Sequence, residues 1–134
     1  MEPLTGIIFS DLGQASTFMA LNWVQDLLNE CLGYRPFPAT LNVRPKAERD
    51  AEIWRRAQNE LAGVTMPPAA NGFCSARIFR VVISSGTQGR VEGAILLPAV
   101  KDYPNDKIEI IAPMQLKNHL GVNDGDQLTL EFLN

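Results

Sequence analysis

The sequence predicts a small, mainly β fold of the α+β class: a six-stranded barrel with two or three helices in its connections. Three observations predict it. About six short β-rich runs are separated by glycine-, proline- and asparagine-bearing turns. The runs do not alternate regularly with helices, so a doubly wound parallel sheet is excluded. The chain has 134 residues, 46% hydrophobic and 20% charged, which suits one domain over 1–134 with a core that needs no staples. Closing such strands into a barrel also removes the exposed edges that a small open sheet would carry.

Taken in order, residues 4–9 (LTGIIF) form a β run, and residues 10–16 (SDLGQAS) a polar, glycine-bearing loop. Residues 23–32 have helical spacing. Trp23, Leu27 and Cys31 share one face, with Val24, Leu28 and Leu32 beside them. Asn22 is placed to cap this helix and Gly33 to end it. The prolines of residues 34–38 (YRPFP) cannot continue a helix. Residues 40–43 read as a strand, and residues 46–61 as a surface helix with Ile53, Ala57 and Leu61 inward. Residues 62–72, with two prolines, two glycines and several alanines, read as a flexible loop, long enough to move. Residues 73–83 and 91–97 form a hairpin across SSGTQGR, and residues 101–106 a polar loop. Residues 107–111 form a strand and 114–120 a short helix ended by Gly121. A tight NDGD turn at 123–126 leads into the alternating strand 127–132.

Several function classes drop out. No run of about 18 apolar residues exists, so no membrane partner is expected. The first residues lack the basic segment of a secretory signal. The net charge is −3, from 12 Lys and Arg against 15 Asp and Glu, which disfavours non-specific nucleic-acid binding. Cys31 and Cys74 are far apart and unpaired in pattern, so they read as reduced, buried thiols of a cytoplasmic protein. The P-loop, dinucleotide, nucleophile-elbow and HExxH signatures are all absent. The single histidine, His119, reads as a solvated side chain on a short helix.

Three segments carry candidate chemistry. The loop within residues 10–18 follows a strand and can turn backbone N–H groups toward an anion, although most such loops are simply turns. Thr40 and Asn42 lie two apart in a strand and so face one side. Their neutral oxygens suit a hard cation such as Mg²⁺. On spacing alone, a strand end and turn cap made by two polar residues is the favoured reading. Glu109 sits among apolar strand neighbours, directly before an Ala-Pro turn and a helix start.

In this order, LGYRPFPATLN (32–42), EGAILLP (92–98), IEIIAPMQLK (108–117) and the DGD turn resemble the archaeal-type CTP-dependent riboflavin kinases. The resemblance covers nearly the whole chain and is weakest over residues 47–71. It implies a six-stranded cradle-loop, riboflavin-kinase-like barrel. It also implies transfer of the γ-phosphate of CTP to the 5′-hydroxyl of riboflavin, giving FMN and CDP. By that resemblance Thr40 and Asn42 would hold Mg²⁺. Leu12, Gly13, Gln14, Ala15, Ser16 and Thr17 would line the nucleotide, and Met114, Gln115, Leu116 and Lys117 would recognise it. Lys101 and Glu109 would contact the flavin, with Glu109 also orienting or deprotonating the attacking hydroxyl. The expected partners are riboflavin and CTP, and the expected state a monomer. Ala15 and Asp11 depart from the family's glycine-rich loop. They point to the alternative of a flavin- or nucleotide-binding module without turnover.

Overall fold

β1 (Leu4–Phe9) buries every second residue, the period required of a strand with one covered face. The chain then forms α1 (Gln14–Met19), α2 (Asn22–Leu32), β2 (Leu41–Pro45), α3 (Glu48–Glu60), β3 (Val64–Met66) and β4 (Ala76–Ser85). It ends with β5 (Gln88–Pro98), β6 (Ile108–Ile111), α4 (Leu116–Leu120) and β7 (Gln127–Phe132). This computed structural model describes residues 1–11, 14–68, 75–86 and 88–133. The strand order β4-β5-β6-β2-β1-β7 returns to β4, so six antiparallel strands close a barrel. β3 is additional. It pairs with Ala76–Ile78 of β4, whose later residues pair with β7.

Alternation divides the apolar side chains between two clusters. One gathers Ile8, Val43, Val81, Ile95, Ile108 and Leu130 from the six barrel strands, and α3 adds Ile53, Trp54 and Ala57. Trp54 lies edge-on to Phe79 and stacks on Phe132. The other cluster joins Val24, Leu28 and Leu32 of α2 to Ile78, Ala94, Leu96 and Ile111 on the opposite strand faces. Gly93, in the EGAILLP segment, is fixed by a close approach. A Cβ there would stand 2.5 Å from the Ile111 carbonyl oxygen and 2.7 Å from Ile83 Cδ1. The NDGD turn is tied to β1 by Gly125 N–H to Ile8 O (2.8 Å) and Ile8 N–H to Asp126 O (2.9 Å). No helix among the described residues is long and apolar enough to cross a membrane.

The structure corrects several boundaries. The expected loop over 10–16 gives way to α1 at Gln14. Leu21, not Asn22, takes the cap position of α2, while Gly33 closes it in the left-handed conformation (φ 87°) as expected. Part of the expected flexible loop is the edge strand β3, which buries Met66; residues 69–72 lie outside the described residues. α4 begins at Leu116, so Met114 and Gln115 precede it. Cys31 is only half-buried, and burial, then Glu30, pushes its thiol up; Cys74 lies outside the described residues.

Candidate active site

On β2, Leu41 and Val43 enter the barrel core. Asn42 between them must face the other way. The register sets Asn42 opposite Glu109 of β6 on one side and Phe9 of β1 on the other. Ile108 and Ile110 anchor β6 in the core, so Glu109 is turned to the same face as Asn42. Thr40, just before β2, completes the group. Its Oγ1 stands 3.3 Å from Asn42 Oδ1 and 3.3 Å from Glu109 Oε1. One hydroxyl proton therefore serves two acceptors, both at long range. A cluster of three oxygens so short of protons is suited to a cation.

These groups open into a cavity of about 570 Å³, within the usual range for a small-molecule site. Its walls are the Phe9–Asp11 end of β1, Ser16 and Phe18 of α1, the Phe37–Asn42 stretch, and Met114, Gln115, Leu116 and Lys117. The proline-stiffened stretch is held to the β6–α4 corner by Phe37 N–H to Ala112 O at 2.8 Å. Met19, Met66, Ala76 and Leu96 give the cavity an apolar floor.

The charged groups are paired. Asn42 and Glu109 are buried, and Glu109 accepts a second hydrogen bond from the Tyr103 hydroxyl. Burial, and then the Glu109 carboxylate, push the Tyr103 phenol well above its usual range, so it remains a donor. Asp102 takes φ 63° just before it, a conformation Asp tolerates better than most residues. Lys107 Nζ lies 2.7 Å from Asp11 Oδ2 and 5.8 Å from the Tyr103 ring centroid. Lys117 Nζ stands 2.9 Å from Asp124 Oδ1, while Ser10 Oγ donates to Asp124 Oδ2 at 2.5 Å. Lys117, and then Ser10, hold the Asp124 carboxyl below its ordinary range.

Of the predicted site residues, Thr40, Asn42, Glu109, Ser16, Met114, Gln115, Leu116 and Lys117 meet at this one cavity. Lys101 and Thr17 are exposed and do not line it. Leu12 and Gly13 lie outside the described residues, as do the side chains of Gln14 and Ala15. His119 is exposed, as expected. Sequence reasoning missed Tyr103 and Lys107, and took Ser10 only as part of the candidate loop 10–18. Lys107 was accessible in principle, since it lies two residues before Glu109 and shares its face of the strand. Tyr103 had no periodic signal.

Comparison with known proteins bears on the same residues. The family described as CTP-dep_RFKase, a domain of unknown function (DUF120), matches residues 8–132. The riboflavin kinase of Aeropyrum pernix is 35% identical over 133 residues, covering 96% of this chain and 93% of that protein. The chain belongs to the CTP-dependent riboflavin kinase family. Riboflavin kinases of Pyrobaculum arsenaticum and Pyrobaculum islandicum are 34% and 32% identical, over 97% and 96% of this chain. The chain spans only 60% and 59% of those two proteins. The cavity bearing Thr40, Asn42 and Glu109 thus lies within the family-matched region.

Proposed function

We propose that the chain transfers the γ-phosphate of CTP to the 5′-hydroxyl of riboflavin, giving FMN and CDP. The observation that carries this reading is the Thr40–Asn42–Glu109 oxygen cluster at the edge of a cavity large enough for a small-molecule substrate. The names of the related kinases and of the family support the acceptor and the donor.

The donor set fits Mg²⁺. It offers a hydroxyl, an amide oxygen and one carboxylate, and among the described residues no group of three or more His, Cys, Asp or Glu is placed to hold a metal ion. Such a sparse set of oxygens suits a hard cation that keeps waters and takes its remaining ligands from phosphates. Thr40 and Asn42 would hold the ion, whose contribution would be to neutralise charge on the β- and γ-phosphates. Phosphoryl transfer asks little covalent chemistry of the protein, so positioning dominates.

In this reading the segment from Leu12 to Thr17 and the segment from Met114 to Lys117 hold the nucleotide. Glu109 orients the riboflavin 5′-hydroxyl and accepts its proton as that oxygen bonds to the γ-phosphorus. The bond from the γ-phosphorus to the β-phosphate oxygen breaks, and CDP leaves. Thr40 and Tyr103 each hold one oxygen of Glu109, which fixes the carboxylate before the acceptor arrives. Lys101 and Tyr103 both stand outside the cavity lining, so we assign Tyr103 an indirect role on the flavin side, through its hydrogen bond to Glu109. The test is incubation of the protein with riboflavin, Mg²⁺ and each of CTP, ATP, GTP and UTP. FMN with CTP alone is the expected result. Flavin binding without FMN from any donor would overturn the kinase reading in favour of a binding module.

A further inference from the structure

Four charged side chains line the cavity among the described residues: Asp11, Lys107, Glu109 and Lys117. Their formal charges cancel. A nucleoside triphosphate brings several negative charges into this space, and Coulomb repulsion from the two carboxylates opposes it. An ammonium turned to the phosphates would add to the neutralisation assigned to the metal and offset that repulsion. Lys117 is turned to Ser10 and to Asp124 of the NDGD turn. Lys107 is placed differently. It precedes Glu109 by two residues, so both project from one face of the chain, and its ammonium lies over the Tyr103 ring, 5.8 Å from the centroid. Its side chain is 22% exposed, against 37% for Lys117. Its partner, Asp11, ends the run from β1 toward α1, on the wall expected to meet the nucleotide.

We propose that Lys107 is a donor-phosphate contact held in place by Asp11: the ammonium exchanges the Asp11 carboxylate for the terminal phosphates of the bound nucleotide. The inference rests on the nucleotide site of the proposed function and adds a residue to it. The exchange is feasible because one charge-assisted contact replaces another, so no bare ammonium is left in a half-buried position. Asp11 then acts as a placeholder. It keeps the lysine aimed along the cavity wall and, by competing for it, weakens donor binding.

The test is calorimetric titration with CTP in the presence of Mg²⁺, and in parallel with cytidine, which has no phosphates. Wild type, Lys107→Gln, Lys107→Arg and Asp11→Asn are compared. Lys107→Gln is expected to weaken CTP about 10- to 100-fold, the range of a lost hydrogen bond to a charged group, and to leave cytidine unchanged. Lys107→Arg should keep most of the CTP affinity, and Asp11→Asn should raise it several-fold. CTP binding by Lys107→Gln within twofold of wild type would overturn the proposal. So would equal losses for CTP and cytidine, a loss in Asp11→Asn matching that in Lys107→Gln, or a wild type that binds no CTP. If Lys107→Gln does not fold, Lys107→Arg and Asp11→Asn decide on the same titrations. FMN formation is read on the same variants in a parallel assay with riboflavin, CTP and Mg²⁺. Lys107-dependent CTP binding without FMN refutes the kinase reading alone, whereas FMN formation with normal CTP binding by Lys107→Gln refutes this inference alone.

Discussion

Replacing Tyr103 by Phe removes one oxygen and leaves the ring that packs against Lys107. Glu109 is 6% exposed and keeps two hydroxyl partners, Thr40 at 3.3 Å and Tyr103. The Thr40 contact is long and shared with Asn42, so the Tyr103 bond is the stronger of the two. A hydrogen bond to a charged group contributes about 1.5–3 kcal/mol. Tyr103 is only half-buried, which favours the lower end, about 1.5 kcal/mol. For a domain of this length that is a fall of roughly 4–7 °C in Tm. The freed carboxylate oxygen also loses its fixed orientation, so riboflavin affinity should drop while cytidine affinity holds. Thermal unfolding at neutral pH and a fluorescence titration with riboflavin measure both. A Tm within 1 °C of wild type together with unchanged riboflavin affinity would refute the role of Tyr103 in holding Glu109.

Glu109→Gln keeps the shape of the carboxylate and loses the base. FMN formation at saturating substrates should fall about 10²- to 10⁴-fold, and loss of flavin affinity with unchanged turnover would remove the base role. Gly93→Ala should cost about 1–3 kcal/mol, at the upper end because its Cβ meets a backbone oxygen at 2.5 Å. A lower urea midpoint with unchanged slope checks this. Burial, then Glu109, raises the folded-state pKa of Tyr103, so the folded protein holds a proton that the unfolded chain releases above about pH 10. The stabilisation is therefore complete below pH 10 and declines as pH rises further. Tyr103→Phe should make that alkaline decline shallower, and an identical pH profile by chemical denaturation would contradict it.

The barrel was legible because its strands alternate. The period of two in residues 4–9 and 127–132 fixes which side chains enter the core, and tertiary structure keeps that pattern. The same period made Thr40 and Asn42 readable as a pair facing one side, though not as a pair facing a carboxylate. That fact depends on the register between β2 and β6, which sets Asn42 against Glu109 across 67 positions of sequence. No local pattern encodes it. β3 escaped notice because three residues cannot show a period, and because proline and glycine neighbours read as loop. Tyr103 escaped for a related reason. Its contact is made by a loop whose path is set by Asp102 in a left-handed conformation and by packing, not by spacing.

Asp11 shows how a structure changes the weight of a sequence feature. Read alone, a carboxylate in a loop expected to meet phosphates argues against nucleotide binding. With Lys107 Nζ 2.7 Å away, the same residue adds no net charge to the cavity wall. Its repulsion of an incoming phosphate is then offset by the ammonium it carries with it. The nucleotide site proposed above is then compatible with Asp11, provided that the ammonium can turn from carboxylate to phosphate. Whether Asp11 disables the site or tunes it thus reduces to the mobility of one lysine, and the affinity ratio between CTP and cytidine in Asp11→Asn measures that directly.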